Sequence, residues 1–270
     1  MKTCLALAVC LGPAAASEWN GLESGSDPTP WAGALPLTGR RQAAFVLDSP
    51  AWTLLRGSLS PLPHFQILKP EQFRGQVADF FGHLPNVEAV DLKIQWLFQE
   101  MEVGDFTRAV ADGEGRLRSS CRLGDATVTR TVIGGAVGDA IFLHFLADKP
   151  GLLSFRASLS GAPPFKLQVE DRRGLILVPV GDPSSRPRSE ALVLPFEADV
   201  TPGDGCLEVL GEGEALIIWT YCAENVPSRR PLEIFSALGQ QYDPGHSPPD
   251  PSRIWEGILA NFPKSTDNPP

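Results

Sequence analysis

At 270 residues and 43 % hydrophobic content, the chain is long enough to bury a large core and too apolar for wholesale disorder. A formal charge of −9 leaves no basic surplus to hold a nucleic acid or an anionic membrane surface. Of the five cysteines, Cys4 and Cys10 lie in the first ten residues. The remaining three, Cys121, Cys206 and Cys222, are an odd set, which excludes a disulfide scaffold.

The N-terminus has the layout of a secretory signal over residues 1–17. Lys2 supplies a positive start, Leu5 to Leu11 an apolar stretch, and Gly12-Pro13 a break. Ala14-Ala15-Ala16-Ser17 then places small residues at the cleavage-determining positions. The stretch is too short to span a bilayer, so export is expected, to the periplasm or the exterior. Residues 18–30 (EWNGLESGSDPTP) lack periodicity and read as an exposed leader.

From Trp31 to residue 228 the chain is a series of short β-type runs cut by Gly and Pro. Ala43–Leu47 and Trp52–Leu55 are the first. Residues 56–85 are irregular apart from one helical turn near Phe73–Phe81. In DLKIQWLFQEMEV (91–103), Leu92, Ile94, Trp96 and Phe98 share a face before the apolar set switches to Met101 and Val103. That change of phase predicts a bulge or a strand passing between two sheets. Arg116–Leu123 alternates, Gly124-Asp125 is a hairpin turn, and Ala126–Ile133 is mostly β-branched. Asp139–Ala147 is apolar on both sides, as in a central strand.

FLADKPGLLSFRASLSG (145–161) reads as a strand, a tight turn and a second strand. Leu153, Phe155, Ala157 and Leu159 point one way, while Ser154, Arg156, Ser158 and Ser160 point the other. The runs at 165–169, 175–180, 192–200, 206–210 and 216–222 continue the series. Gly203-Asp204-Gly205 and Gly211-Glu212-Gly213 precede no helix and read as hairpin turns. About a dozen strands spaced by roughly 8–12 residues predict an all-β fold: a large, antiparallel, two-sheet β-sandwich of supersandwich type.

After residue 228 the period changes. Pro231–Leu238 and Ser252–Ala260 have helical spacing, with Ile254, Trp255, Ile258 and Leu259 forming a stripe. Pro231 suits a first helical turn and Ser252 a cap. QQYDPGHSPPDP between them reads as a linker, so 229–270 forms a helical, linker-like tail to the sandwich domain at 31–228.

Catalytic motifs are missing from the sequence. It has no Gly-x-Ser-x-Gly elbow and no His-Glu-x-x-His pair. The four histidines, His64, His83, His144 and His246, are scattered, and His144 sits in an apolar run, where a satisfied core histidine is expected. Two carboxylate pairs, Glu100 with Glu102 and Glu212 with Glu214, have spacings of about 6.5–7 Å if extended. A flat strand face or a solvated turn is nevertheless a poor mount for glycoside hydrolysis, which needs groups on opposite sides of the bond. Trp31 and Trp52 flank the irregular region and are the candidates for carbohydrate stacking platforms, whereas Trp96 and Trp219 read as core. Cys206 and Cys222 fall on neighbouring predicted strands, but all three later cysteines read best as small buried hydrophobes. No catalytic residue, metal site or cofactor is predicted.

The run DFTRAVADGEGRLRSSCRLGDATVTRTVIGGAVGDAIFLHFLADKPGLLSFRASLSG (105–161) resembles the N-terminal β-sandwich of glycoside hydrolase family 95, the inverting α-L-fucosidase-type enzymes, and the related domain of family 65. The resemblance lies in Phe106–Asp112, in the Val128-Thr129-Arg130-Thr131-Val132 group, and most closely in Ala147–Phe155. GDGCLEVLGEGEALIIWTYCAEN (203–225) resembles the family's later hairpin before its linker helices, and WAGALPLTGRRQAAFVL (31–47) its opening segment. Thr38-Gly39-Arg40-Arg41-Gln42 departs from the family's Gly-Asn-Gly-Arg-Leu. The family's catalytic groups belong to an (α/α)₆ barrel that follows the sandwich and has no counterpart in this sequence, so no catalytic residue is carried over. The resemblance implies an exported, hydrolase-associated sandwich, non-catalytic by itself, whose partner is a carbohydrate or a hydrolase catalytic subunit. The alternatives are a stand-alone carbohydrate-binding module and a subunit or fragment of an inverting α-L-fucosidase-type hydrolase.

Overall fold

The computed structural model describes residues 35–38, 43–58, 89–97, 103–111, 116–135, 140–161, 165–180, 189–196, 200–222 and 229–261. The signal and leader, Trp31, the predicted helical turn at 73–81 and the Glu100/Glu102 pair lie outside them. Most of the runs read as strands become antiparallel strands; 192–200, read as one run, holds the end of one strand and the start of another, and Leu35–Thr38 and Val103–Ala111 are strands that alternation did not mark. The first four strands are β1 (Leu35–Thr38), β2 (Ala43–Asp48), β3 (Trp52–Ser58) and β4 (Ala89–Trp96). Next come β5 (Val103–Ala111), β6 (Arg116–Leu123), β7 (Ala126–Gly134), β8 (Ile141–Ala147) and β9 (Leu153–Gly161). The series ends with β10 (Phe165–Glu170), β11 (Gly174–Pro179), β12 (Ser189–Pro195), β13 (Val200–Gly203), β14 (Cys206–Glu212) and β15 (Glu214–Tyr221). Two helices follow, α1 (Pro231–Tyr242) and α2 (Pro251–Asn261).

Among the described residues the strands form two sheets. One has seven strands in the order β1-β2-β3-β4-β9-β14-β13, and the other eight in the order β10-β11-β12-β15-β8-β7-β6-β5. The fold is the all-β sandwich expected from the alternation. Inward residues of the two sheets, among them Leu92, Ile94, Trp96, Leu143, Phe145, Phe155, Val193, Ile217 and Trp219, fill one continuous core. The change of phase at 98–101 marks a passage between sheets: β4 belongs to the seven-stranded sheet and β5 to the eight-stranded one.

Two expected hairpins are arches instead. β8 pairs with β7 and β15, whereas β9 pairs with β4 and β14, so Asp148-Lys149-Pro150-Gly151 carries the chain from one sheet to the other. The Gly211–Gly213 turn likewise links β14 in one sheet to β15 in the other. Two strands that both direct an apolar face inward can pair side by side or face each other across the core, and their periodicity is the same in either case. The two arches lie together, with Gly151 at φ 81° and Gly211 at φ 72°, a region that favours glycine. The Ala147 amide donates to the Gly213 carbonyl at 2.8 Å. Gly203-Asp204-Gly205 does close a hairpin, between β13 and β14.

The outer face of the eight-stranded sheet carries a third layer. Ile133, Phe142, Leu192, Leu194, Leu216 and Ile218 pack beneath Ile234, Phe235 and Leu238 of α1 and Ile254, Trp255 and Ile258 of α2. The helices read as a tail therefore cover the face that makes β8 apolar on both sides. Pro231 opens α1 as expected, but Asp250 caps α2: its carboxylate accepts from the Ser252 amide at 2.9 Å, and Ser252 lies within the helix.

One charge crosses the main core. Arg130 occupies an inward position of β7 between Val128 and Val132 and is 1 % exposed. It donates to Asp48 Oδ1 at 2.8 Å, to the Pro50 carbonyl at 2.9 Å and to the Ser49 carbonyl. Its guanidinium lies 4.5 Å from the Trp96 ring centroid. Asp48 also accepts from Thr53 at 2.6 Å and from Ser119. Asp48, Thr53 and Trp96 belong to the seven-stranded sheet and Arg130 and Ser119 to the eight-stranded one, so the cluster ties the layers together.

Removing one partner of such a pair strands a buried charge. Arg130→Met is expected to destabilise the fold by about 3–5 kcal/mol, and the double variant with Asp48→Leu to recover part of that loss. Urea unfolding midpoints at constant m measure both. Gly57 provides a second test. A Cβ there would fall 2.6 Å from the ring of Tyr221 across the core, so Gly57→Ala is expected to destabilise by about 1–3 kcal/mol on the same assay.

Candidate functional site

Two concavities lie on opposite faces of the sandwich. The first is a groove of about 400 Å³ on the outer face of the seven-stranded sheet. Strand register builds it. Gln95 stands opposite Arg156, and Arg156 opposite Glu208, making a polar row across β4, β9 and β14. Lys93 stands opposite Ser158 in the adjoining row. Arg156 Nε donates to Glu208 Oε1 at 2.5 Å. Further along the face, Arg56 grips both oxygens of Asp91 at 2.8 Å. This fork-to-fork pair holds the Asp91 carboxylate in place beside the groove.

Trp52 extends the polar row by one strand, since it stands opposite Gln95. It is 9 % exposed, however, and Leu54, two residues on along the same face, is 1 % exposed. A stacking platform needs an open ring face, and Trp52 as placed does not offer one. Trp31 lies outside the described residues. Trp96 and Trp219 are core, as expected: Trp96 meets Phe145 and Phe155 edge to face, and Trp219 Nε1 donates to Ser189 at 2.7 Å.

The second concavity is a cleft of about 520 Å³ on the opposite side, where the outermost row of the eight-stranded sheet extends past the helical layer. Glu214 begins β15 opposite Leu146 of β8 and diagonal to His144. The Phe196 amide donates to the Glu214 carbonyl at 3.2 Å, which brings Phe196 into the same row. Pro150 of the first arch forms one wall, and Asp250, Pro251 and Ser252 at the start of α2 form another.

His144 is the buried end of this site. Its ring is 4.5 Å from Trp255 of α2 and nearly parallel to it, and Nε2 lies 2.6 Å from Glu214 Oε1. It is the satisfied core histidine that its apolar strand predicted. Glu214 is not the freely solvated turn carboxylate of the sequence reading, because it supplies that histidine's partner and is 28 % exposed. The link was hidden in the sequence, since β8 and β15 are neighbours only in the folded sheet. The side chain of Glu212 lies outside the described residues.

The linker-like segment 243–250 has an ordered centre. Asp243 is 1 % exposed and accepts from the Asp250 amide at 2.9 Å, from His246 Nδ1 at 2.6 Å and from Arg253 at 2.9 Å. These bonds set where Asp250 and Ser252 meet the cleft. Arg230, just ahead of α1, joins Glu190 of β12 at 2.9 Å and Glu170 of β10.

No three His, Cys, Asp or Glu side chains among the described residues group as a metal site. Cys121 and Cys206 are thiols whose pKa is raised by burial, the opposite of what a nucleophile needs. Cys206 and Cys222 are not joined; one lies in β14 and the other just after β15, in different sheets. No described helix is long and apolar enough to cross a membrane. Comparison of the chain with known protein families and with curated proteins finds no match.

The Asp243 carboxyl is held below the usual carboxylate range, first by the Asp250 amide and then by His246 and Arg253, against an opposing effect of burial. Folding therefore gains stability from this group above its unfolded value of about 4, and the gain is lost as pH falls through the depressed folded value. Asp243→Asn is expected to flatten the acid limb of a plot of thermal midpoint against pH and leave the rest of the plot parallel to wild type. An unchanged acid limb would remove Asp243 from this role.

Proposed function

We propose that this chain is an exported, non-catalytic β-sandwich that binds carbohydrate, similar to the N-terminal domain of family 95 glycoside hydrolases. The observation that carries the reading is the row Gln95–Arg156–Glu208 with Lys93 and Ser158 beside it, open as a groove on one sheet face. Strands lie about 4.8 Å apart, so an amide, a guanidinium and a carboxylate stand side by side in fixed orientations. Hydroxyl groups both donate and accept, and a row that alternates donors with acceptors suits a run of them. The two-sheet fold supports the reading because it is the architecture implied by the resemblance over 105–161. Arg156 is already oriented by Glu208, so little side-chain freedom is lost when a ligand docks.

A glycan array probed with the purified chain, followed by calorimetric titration of the best ligand, tests this. Binding is expected, and Arg156→Ala together with Gln95→Ala is expected to weaken it at least about tenfold without lowering the thermal midpoint. A silent array with folded protein, or equal binding by the double variant, overturns the proposal. Release of sugar from a fucosyl substrate by this chain alone would overturn its non-catalytic part.

A further inference from the structure

We infer that β10 is a pairing edge, and that its partner is a second copy of this chain in antiparallel register. This goes beyond the carbohydrate reading and does not rest on it. A strand at a sheet edge offers unpaired amides and carbonyls to any other strand, so folded proteins blunt their edges. Among the described residues the two sheets end on β1, β13, β5 and β10. β1 and β13 have four residues each and contain Pro36 and Pro202. β5 loses its register between Gly104 and Thr107, with Asp105 at φ 43°. β10 has six residues, no proline and an unbroken register with β11 from Phe165 to Glu170. Lys166, Gln168, Val169 and Glu170 are exposed along it.

What β10 does carry is charge, and the charge selects the partner. Lys166, Gln168 and Glu170 share one face of the strand, with opposite charges at its two ends. Lys166 has no carboxylate partner among the described residues. Arg230 joins both Glu170 and Glu190, so the far end of the strand keeps a surplus negative charge. A lysine on an edge discourages strands that bring no counter-charge. About a two-fold axis at Gln168, an antiparallel second copy sets its Glu170 opposite Lys166 and its Lys166 opposite Glu170. Gln168 then meets Gln168, where one amide donates and the other accepts. On the other face Leu167, packed against the main core, meets Val169, which is 36 % exposed in the single chain. The contact is its own complement, so it closes on a dimer rather than growing into a fibre. The axis stands perpendicular to the joined sheet, which leaves the polar grooves of both copies on the same side.

Sedimentation equilibrium of the full chain from about 1 µM to about 1 mM tests this, since a contact of one strand pair is small and weak. The mass is expected to rise from 29.1 kDa toward twice that value. Hydrogen exchange is expected to slow with concentration at the β10 amides and not at those of β5. Lys166→Glu sets carboxylate against carboxylate twice over, and is expected to weaken association at least about tenfold with an unchanged thermal midpoint. Glu170→Lys is expected to do the same, and an equimolar mixture of the two variants to associate again, because each supplies the charge the other lacks. Lys166→Glu gives up no described side-chain bond, so it decides the matter where Glu170→Lys loses the fold along with its Arg230 contact. A chain that stays monomeric throughout overturns the proposal, as does protection that builds up at another edge. Undiminished association of folded Lys166→Glu overturns it too, as does a mixture of the two folded variants that remains monomeric. Association is read without glycan, so this inference and the carbohydrate reading fail independently.

Discussion

A guanidinium lies inside the main core where the pattern of β7 calls for a third aliphatic side chain. The bonds of Arg130 and Ser119 to Asp48 join two sheets whose facing residues are mostly apolar and pack without directional preference. Apolar contact alone would tolerate sliding of one sheet over the other. A charge buried to 1 % exposure does not, because any shift that breaks its bonds leaves it unsolvated. Its remaining donor, Nε, has no acceptor among the described residues, and the indole of Trp96 covers the group from the side of β4. The contact thus selects one alignment of the layers, and both concavities lie on faces whose relative placement follows from it.

The outer faces of the sheets have different fates. On the eight-stranded sheet, Phe142 of β8 and aliphatic residues at alternate positions of β12 and β15 require a cover, and α1 and α2 supply it. The cover stops one row short. Glu214, Leu146 and Phe196 form the next row, in which Leu146 is exposed and Phe196 packs against the edge of the covered cluster, and His144 is the polar residue at the boundary, packed on Trp255 and bonded to the carboxylate in front of it. On the seven-stranded sheet, β4, β9 and β14 carry charged and amide side chains outward, and these pair laterally into the row that frames the groove.

The residues that carry the resemblance to family 95 have structural work in this chain. Ala147–Phe155 is an arch between sheets, with Pro150 and Gly151 at its bend and Phe155 in the core. Arg130, in the second of the matching groups, is the inter-sheet anchor. These residues build the sandwich.

Alternation determined most of the strands and the two-sheet class, because a strand with one apolar face must bury it against another layer. It did not mark β1 or β5, and it ran the end of β12 and the start of β13, which lie in different sheets, together as 192–200. Helical spacing after residue 230 likewise determined α1 and α2. Tertiary structure decided which strands are neighbours. An arch and a hairpin have the same local pattern, so the pairing of β8 with β15, and with it the meeting of His144 and Glu214, could not be read along the chain. The same holds for Gln95, Arg156 and Glu208, far apart in sequence and aligned only by register. Period-two patterning states which way a side chain points, and only the completed sheet states what stands beside it.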